Sequence, residues 1–343
     1  VIDVTARPFY ASTNPAVDST VAIQAALTVA LAARSALYFP KGTFNFTTPL
    51  ELDERVEIFG CGEQSILKYS GSGAAIRGEF PSATTGEFSS FHHFQLRGTN
   101  ASGQSGIIMG TNLQGVVRCS FHHILTEDFN KGYGIYLQRP IDTEIVRCRI
   151  GASQTGILLH TPAGNLVSDN YMSYWANAGI HLMSVDNALA PRNNTVTRNL
   201  VHGNGVVSPL VLLDRAGIKI TRVSSTDVVN NYLEIINNPV GATTERGHGV
   251  WIEGTAGLTQ MNSVEKNYFG PGLTGDAIRT SGLASHTVIG GNQVSTYNIN
   301  DAGLYSVFNM QYLPDIAQLT GVSTTRSGWI KLVPGGTNVQ LHA

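Results

Sequence analysis

The sequence runs to 343 residues with a formal net charge of -2; only 13% of its residues are charged, and 37 are glycine. That balance excludes a nucleic-acid binder working by bulk electrostatics. No apolar run approaches the roughly 20 residues of a membrane helix, and the first residues lack the basic start and long apolar core of a signal peptide. The expectation is a soluble chain, mature or trimmed, made mostly of strands and tight turns.

Taken in order, Asp18 to Leu27 predicts a helix. Asp18 or Ser19 can cap it, and Ala22, Ile23, Ala26, Leu27 and Ala30 form its apolar stripe. Leu37-Tyr-Phe-Pro-Lys-Gly-Thr-Phe44 follows as strand, turn and strand, and Val56 to Gly62 with Ser65 to Lys68 supplies the next coil. Residues 70–104 read as irregular around Phe91-His-His-Phe94, a text that Phe121-His-His-Ile124 repeats one coil later. Adjacent residues on a strand point to opposite faces, so neither histidine pair is expected to hold a metal.

From Gly106 onward one short unit recurs. Its openings are Gly106-Ile-Ile-Met, Gly134-Ile-Tyr-Leu, Gly156-Ile-Leu-Leu, Gly179-Ile-His-Leu, Gly217-Ile-Lys-Ile, Gly249-Val-Trp-Ile, Ala277-Ile-Arg-Thr and Gly303-Leu-Tyr-Ser. A second element, apolar-x-x-Asn-x-apolar, carries Asn170, Asn199, Asn231, Asn267 and Asn292, with Cys119 and Cys148 read into the same position of two earlier units. A period of about 22 to 30 residues with short β-branched runs signals a stacked β-solenoid. The asparagines are expected to take the left-handed corner conformation and to bond amide to amide along the axis.

Asp18-x-Thr20-x-Ala22-Ile23-Gln24-Ala25-Ala26, Tyr38-Phe39-Pro40-x-Gly42-Thr43-Phe44, Gly60-x-Gly62 and the asparagine repeats together resemble the pectate-lyase-like superfamily. The resemblance spans roughly residues 1–300 and implies an all-β fold: a single-stranded right-handed parallel β-helix whose N-terminal α-helix caps the open end of the first coil. It also implies a choice among glycoside hydrolases, polysaccharide lyases, epimerases and phage tailspikes, and it supplies no catalytic motif that matches here residue by residue. By the same resemblance the partner is a polysaccharide, the assembly a homotrimer and the setting extracellular or the virion surface. No cofactor is expected, a calcium ion on the acidic cluster being the one candidate.

In each opening strand the Ile and the fourth residue should face the core. The outward column then reads Ile108, Tyr136, Leu158, His181, Lys219, Trp251, Arg279 and Tyr305, and two residues on Gln138, His160, Met183, Thr221 and Glu253 share the face. Aromatic rings there would stack on pyranose faces, and the basic groups would bind hydroxyls or carboxylates. The longest gaps fall before Gly134, Gly217 and Gly249, and the last two end in Leu213-Asp-Arg-Ala216 and Thr244-Glu-Arg-Gly-His248. Asp214, Glu245, Glu253 and Asp276 are therefore the candidate acid and base of a glycoside hydrolase, with Asp214 and Glu253 ahead. Tyr136, His160, His181, Lys219, Arg246, His248, Trp251 and Arg279 are the candidate substrate contacts. A lyase would use Lys219, Arg279, Arg246, His181 and His248, and a non-catalytic carbohydrate-binding spike would need none of the carboxylates.

Trp329 to Leu341 reads as a closing hairpin turning at Pro334-Gly335-Gly336. The chain thus divides into a cap and first coils over 1–70, a helix body over 71–305 and capping strands over 306–343, as one continuous domain. Cys61, Cys119 and Cys148 are expected as buried free thiols, the last two stacked in one ladder column where disulfide geometry is poor.

Overall fold

The computed structural model describes residues 1–80, 87–111, 113–185, 191–203, 215–234, 247–254, 259–282, 284–294, 299–301, 307–309, 319–320, 329–332 and 339–342. One coil in the middle of the molecule shows the plan. The strand Tyr171–Met183 bends at a corner, Asn194–Thr197 follows across a turn, Leu200–His202 follows a second corner, and Arg215–Thr221 begins the next coil. Each piece pairs in parallel with its counterpart one coil on: Ile180 with Ile218, Val196 with Val228, Val201 with Leu233. The stack therefore has three faces, and the coils form a parallel β-helix.

Alternation along each strand sends one residue in and the next out. The inward files are apolar and closed to solvent, as in Ile157, Ile180, Ile218, Val250 and Ile278 on the first face. Burying each such side chain contributes about 1.5–3 kcal/mol, and the files merge into one continuous core. At the N-terminal end the helix Thr20–Ala32 lays Ile23, Ala26, Leu27 and Ala30 on that core. Asp18 does the capping, its Oδ1 accepting from the Thr20 N–H at 2.9 Å and the Thr20 hydroxyl at 2.6 Å. Ser19 instead holds Ser12.

The corner chemistry differs from the sequence expectation. The left-handed conformation belongs to the residue before each ladder position: φ is 54° at Arg147, 57° at Asp169, 54° at Arg198, 57° at Asn230 and 55° at Lys266. That residue turns the chain so that the asparagine after it points inward. Asn170, Asn199, Asn231, Asn267 and Asn292 are buried and linked Nδ2 to Oδ1 at 2.9–3.1 Å. A second file stands at the corner between the first and second faces, where Cys119, Thr143, Asn165, Asn194, Thr226 and Asn262 each follow a left-handed residue or glycine.

Cys119 belongs to this second file and not to the column of Cys148, whose neighbour one rung back is Ile124. The two corners of a coil carry the same local pattern, so spacing alone misassigned the first unit. The gap read before Gly134 closes for the same reason, since Ser120–Glu127 and Phe129–Gln138 fill it with strand. Cys119 and Cys148 are buried free thiols, and burial pushes each up to about 12. Cys61 is exposed, its Sγ 2.9 Å from the Tyr38 hydroxyl.

Two further expectations change. Strands Ala74–Gly78 and Ser90–Arg97 carry regular coils through the stretch read as irregular. After Arg279 the register continues with Asn300, in Ile299–Asp301, so Tyr305 is not the next residue of the outward column. Trp329–Leu332 and Val339–His342 pair antiparallel as the anticipated hairpin; its turn lies outside the described residues.

Candidate functional site

Parallel pairing sets the outward column of the first face in the order read from the sequence: Ile108, Tyr136, Leu158, His181, Lys219, Trp251, Arg279. Gln138, His160, Met183, Thr221 and Glu253 stand beside it in matching register. The face is not an open bed along its whole length. Leu158 is 6% exposed and His160 and His181 are each 8% exposed, so the middle of the face is closed, with half-buried stretches on either side of it, Ile108 to Gln138 at one end and Lys219 through Trp251 to Arg279 at the other. Tyr136 lies in the first of these, its ring 4.9 Å from that of Tyr133, and burial raises its hydroxyl pKa.

Trp251 organises the stretch from Lys219 to Arg279. Lys219 Nζ lies 3.8 Å from the centroid of its ring and Arg279 Cζ 5.1 Å from it, each one rung away on opposite sides. The indole Nε1 donates to Ser281 Oγ at 3.1 Å, which fixes the ring plane. Two cations therefore lie over the ring, one from the rung before it and one from the rung after it. Its role is to hold two positive charges at one rung's spacing on either side.

The two cations are also tied to acid–base groups. Lys219 Nζ is 3.2 Å from Glu253 Oε2, and the Thr221 hydroxyl donates to the same oxygen at 3.2 Å. His181 Nε2 lies 3.1 Å from Thr221 Oγ1. Since the threonine proton goes to Glu253, the hydroxyl accepts from His181, which places the imidazole proton on Nε2. Burial, with Lys219 and His160 adding to it, pushes His181 down to about 3, so the ring is neutral. Beyond Trp251, Arg279 Nη1 is 2.9 Å from His248 Nε2, while His248 Nδ1 lies 2.9 Å from the Asp276 N–H and 3.5 Å from its Oδ2. His181, Thr221, Glu253, Lys219, Trp251, Arg279, His248 and Asp276 thus form one chain of contacts over four rungs.

Seven of the twelve sequence candidates gather here or touch it: His181, Lys219, His248, Trp251, Glu253, Asp276 and Arg279. His160 lies in the closed middle of the face and Tyr136 at its half-buried far end. Asp214, Glu245 and Arg246 lie outside the described residues. The two described carboxylates do not form a pair. Asp276 stands opposite His248, five residues before Glu253, or about 16 Å along the strand at ~3.3 Å per residue. Asp276 is engaged with His248 and Glu253 with Lys219, so neither turns toward the other.

The tandem histidines also depart from expectation. His93 and His123 sit at φ 59° and 52°, the corner position, so both members of each pair face outward. His92 Nε2 is 2.9 Å from Glu57 and His122 Nε2 2.8 Å from Glu144, and the rings of His93 and His123 stack at 4.6 Å. Among the described residues no group of three or more His, Cys, Asp or Glu is arranged to hold a metal ion.

The third face carries polar groups that sequence reasoning missed. Tyr171, Leu200, Tyr232 and Tyr268 follow the ladder asparagines in register, and Ser173, His202 and Glu234 stand two residues further on. The rings of Tyr232 and Tyr268 stack at 4.7 Å. The signal is present in Asn170-Tyr-Met-Ser, Asn199-Leu-Val-His and Asn231-Tyr-Leu-Glu, where the outward residues stand one and three places after the ladder asparagine.

The family model for the right-handed β-helix region matches residues 82–294, which is most of the described stack. The chain belongs to the right-handed β-helix family. No curated protein matches it. Among solved structures, this β-helix is similar to the A-module of mannuronan C-5 epimerase from Azotobacter vinelandii, with 13% identity, a TM-score of 0.66, and coverage of 93% of this chain and 100% of that one. It is similar to an alginate lyase from Paenibacillus sp. at 13% identity and TM-score 0.59, covering 83% of this chain and 97% of the other. It also matches the ORF18 protein of Geobacillus virus E2 at 16% identity and TM-score 0.60, over 90% of this β-helix and 59% of the viral protein's length. At these identities the likeness is one of fold. No helix among the described residues is long and apolar enough to cross a membrane.

Proposed function

We propose that this β-helix processes an acidic polysaccharide bound along its first face, by removing the proton beside a uronate carboxylate as a lyase or epimerase does. The observation that carries the reading is the pair of cations held over Trp251 from the rungs before and after it, one of them also paired with Glu253. A substrate carboxylate that takes Lys219 has its charge neutralised, which acidifies the adjacent C–H, while Arg279, two rungs on, is placed for the carboxylate of a neighbouring sugar. Binding at Lys219 also releases Glu253 from it, leaving a half-exposed carboxylate to accept the proton. The electron pair left on carbon either expels the glycosidic oxygen, giving an unsaturated sugar, or is reprotonated from the opposite side.

Two structurally similar proteins are named for uronate polymers, mannuronan and alginate, which supports an acidic substrate. The likeness to a viral protein supports an extracellular or virion-surface setting. A hydrolase is the second reading. It is favoured by the carboxylates at Asp214 and Glu245 in the segments before Arg215 and Gly247, and it needs one of them beside Glu253.

The test is incubation with alginate, other acidic polysaccharides and neutral ones, reading reducing ends and ultraviolet absorbance of the unsaturated uronate together, with proton exchange at C5 followed by NMR. Absorbance or exchange on an acidic polymer, lost in Lys219→Met, is the expected result. Reducing ends without either signal would make it a hydrolase and move attention to Asp214 and Glu245. Retention on a polysaccharide with no turnover would leave a binding spike.

A further inference from the structure

The third face places a serine, a histidine and a glutamate on three successive rungs at one register position. Ser173 pairs with His202, and His202 with Glu234, each step about 4.8 Å. None of the three takes part in the chain of contacts on the first face. His202 Nδ1 lies 3.0 Å from Glu234 Oε1, and the Tyr232 hydroxyl donates to Glu234 Oε2 at 2.9 Å. The carboxylate is thus fixed through both oxygens and holds the imidazole with its Nδ1–H toward the later rung. Nε2, on the other side of the five-membered ring, then offers its lone pair toward the earlier rung, where Ser173 stands. This is the order nucleophile, base and orienter.

The neighbouring rungs leave room for it. The position before Ser173 is Gly151, where an added Cβ would lie 3.5 Å from Ser173 Oγ. The position after Glu234 is Gly270, where a Cβ would lie 3.0 Å from Glu234 Cβ and 3.1 Å from the Tyr232 hydroxyl. A side chain at Gly270 would press on the pair that orients His202, and one at Gly151 would stand over the serine. Ser173 is 6% exposed, while His202 and Glu234 keep roughly a quarter of their side-chain surface open, at 24% and 22%.

We infer that Ser173, His202 and Glu234 form a Ser-His-Glu triad that hydrolyses carboxylic esters, the O-acyl groups carried on sugar hydroxyls being the substrate class. Ser173 Oγ attacks the ester carbonyl carbon as its proton passes to His202 Nε2. The acyl C–O bond then breaks, and the leaving sugar oxygen takes that proton. Water, deprotonated by the same nitrogen, releases the carboxylic acid and restores the serine. No hydrogen bond joins Ser173 to His202 among the described residues, and unliganded triads are commonly looser than the reacting geometry.

The test uses the full chain with p-nitrophenyl acetate and a fluorophosphonate probe, and so is independent of the polysaccharide assay above. The expected result is ester hydrolysis above the buffer rate, a fluorophosphonate adduct located on Ser173 by peptide mass, and a fall of at least about 100-fold in both Ser173→Ala and His202→Gln. Glu234→Gln should lower the rate and retain labelling at a reduced speed, since it leaves the nucleophile in place. Circular dichroism and thermal melting of the variants establish that the coils are intact. Hydrolysis that persists unchanged in a folded Ser173→Ala chain, or an adduct on another residue, overturns the inference. So does the absence of both hydrolysis and adduct in the wild-type chain.

Discussion

The corner of each coil is decided by two adjacent residues with different tasks. Asn231 Oδ1 accepts from the N–H and Nδ2 of Asn199 at 3.0 and 2.9 Å, while its own Nδ2 donates to Val196 O and Asn267 Oδ1. Asn231→Ala strands buried backbone partners on both sides and should cost about 3 kcal/mol, read from the urea midpoint. Asn230, at φ 57°, carries the turn; Asn230→Gly should match or exceed wild-type stability, and Asn230→Ala should cost about 1 kcal/mol. Equal losses at the two positions would mean that the division of labour is wrong. His181 gives a pH prediction whose sign follows from burial. Its folded value is about 3 against an ordinary 6.5, so below pH 6.5 the unfolded chain binds a proton that the folded chain refuses. Its contribution is whole above 6.5 and is lost as pH falls toward 3, by up to about 1.4 kcal/mol per pH unit. His181→Gln should flatten the stability profile in that window.

At the scale of elements, the helix Thr20–Ala32 and the first face carry the testable consequences. The helix closes the end of the stack with a small apolar footprint, so Ile23→Ala should cost about 3 kcal/mol. Because it also uncovers a strand edge, the variant should aggregate on heating before the wild type does, as light scattering would show. Glu253 is 39% exposed, and Lys219, at 15%, keeps Trp251 as a partner when the carboxylate is neutralised, so their pair should contribute under about 1 kcal/mol to stability. Glu253→Gln should therefore leave the melting temperature nearly unchanged while lowering polysaccharide turnover at least about 100-fold. A large loss of stability with turnover retained would reassign the pair to holding the fold. The helix and the ladder elements were legible in the sequence because their signals are local: a capped apolar stripe, and an asparagine between apolar residues. Cys119 was misplaced because both corners of a coil share that local pattern.

For the whole molecule, the period of the sequence specified a stack, and the alternation within each unit specified which residues line its core. Both follow from contacts that repeat identically from coil to coil, so any one unit carries the rule. The column from Tyr136 to Arg279 was legible for the same reason. What the sequence did not settle lies between rungs. That Lys219 and Arg279 both lie over Trp251, that His181 is closed to solvent while Lys219 is half-buried, and that His202 bonds to Glu234 all depend on contacts between residues about 22 to 40 positions apart. Insertions of unequal length separate those residues, so their spacing in the chain says nothing of their spacing in space. Only the parallel hydrogen-bond register, which sets every coil against the next at a fixed distance, brings them into contact.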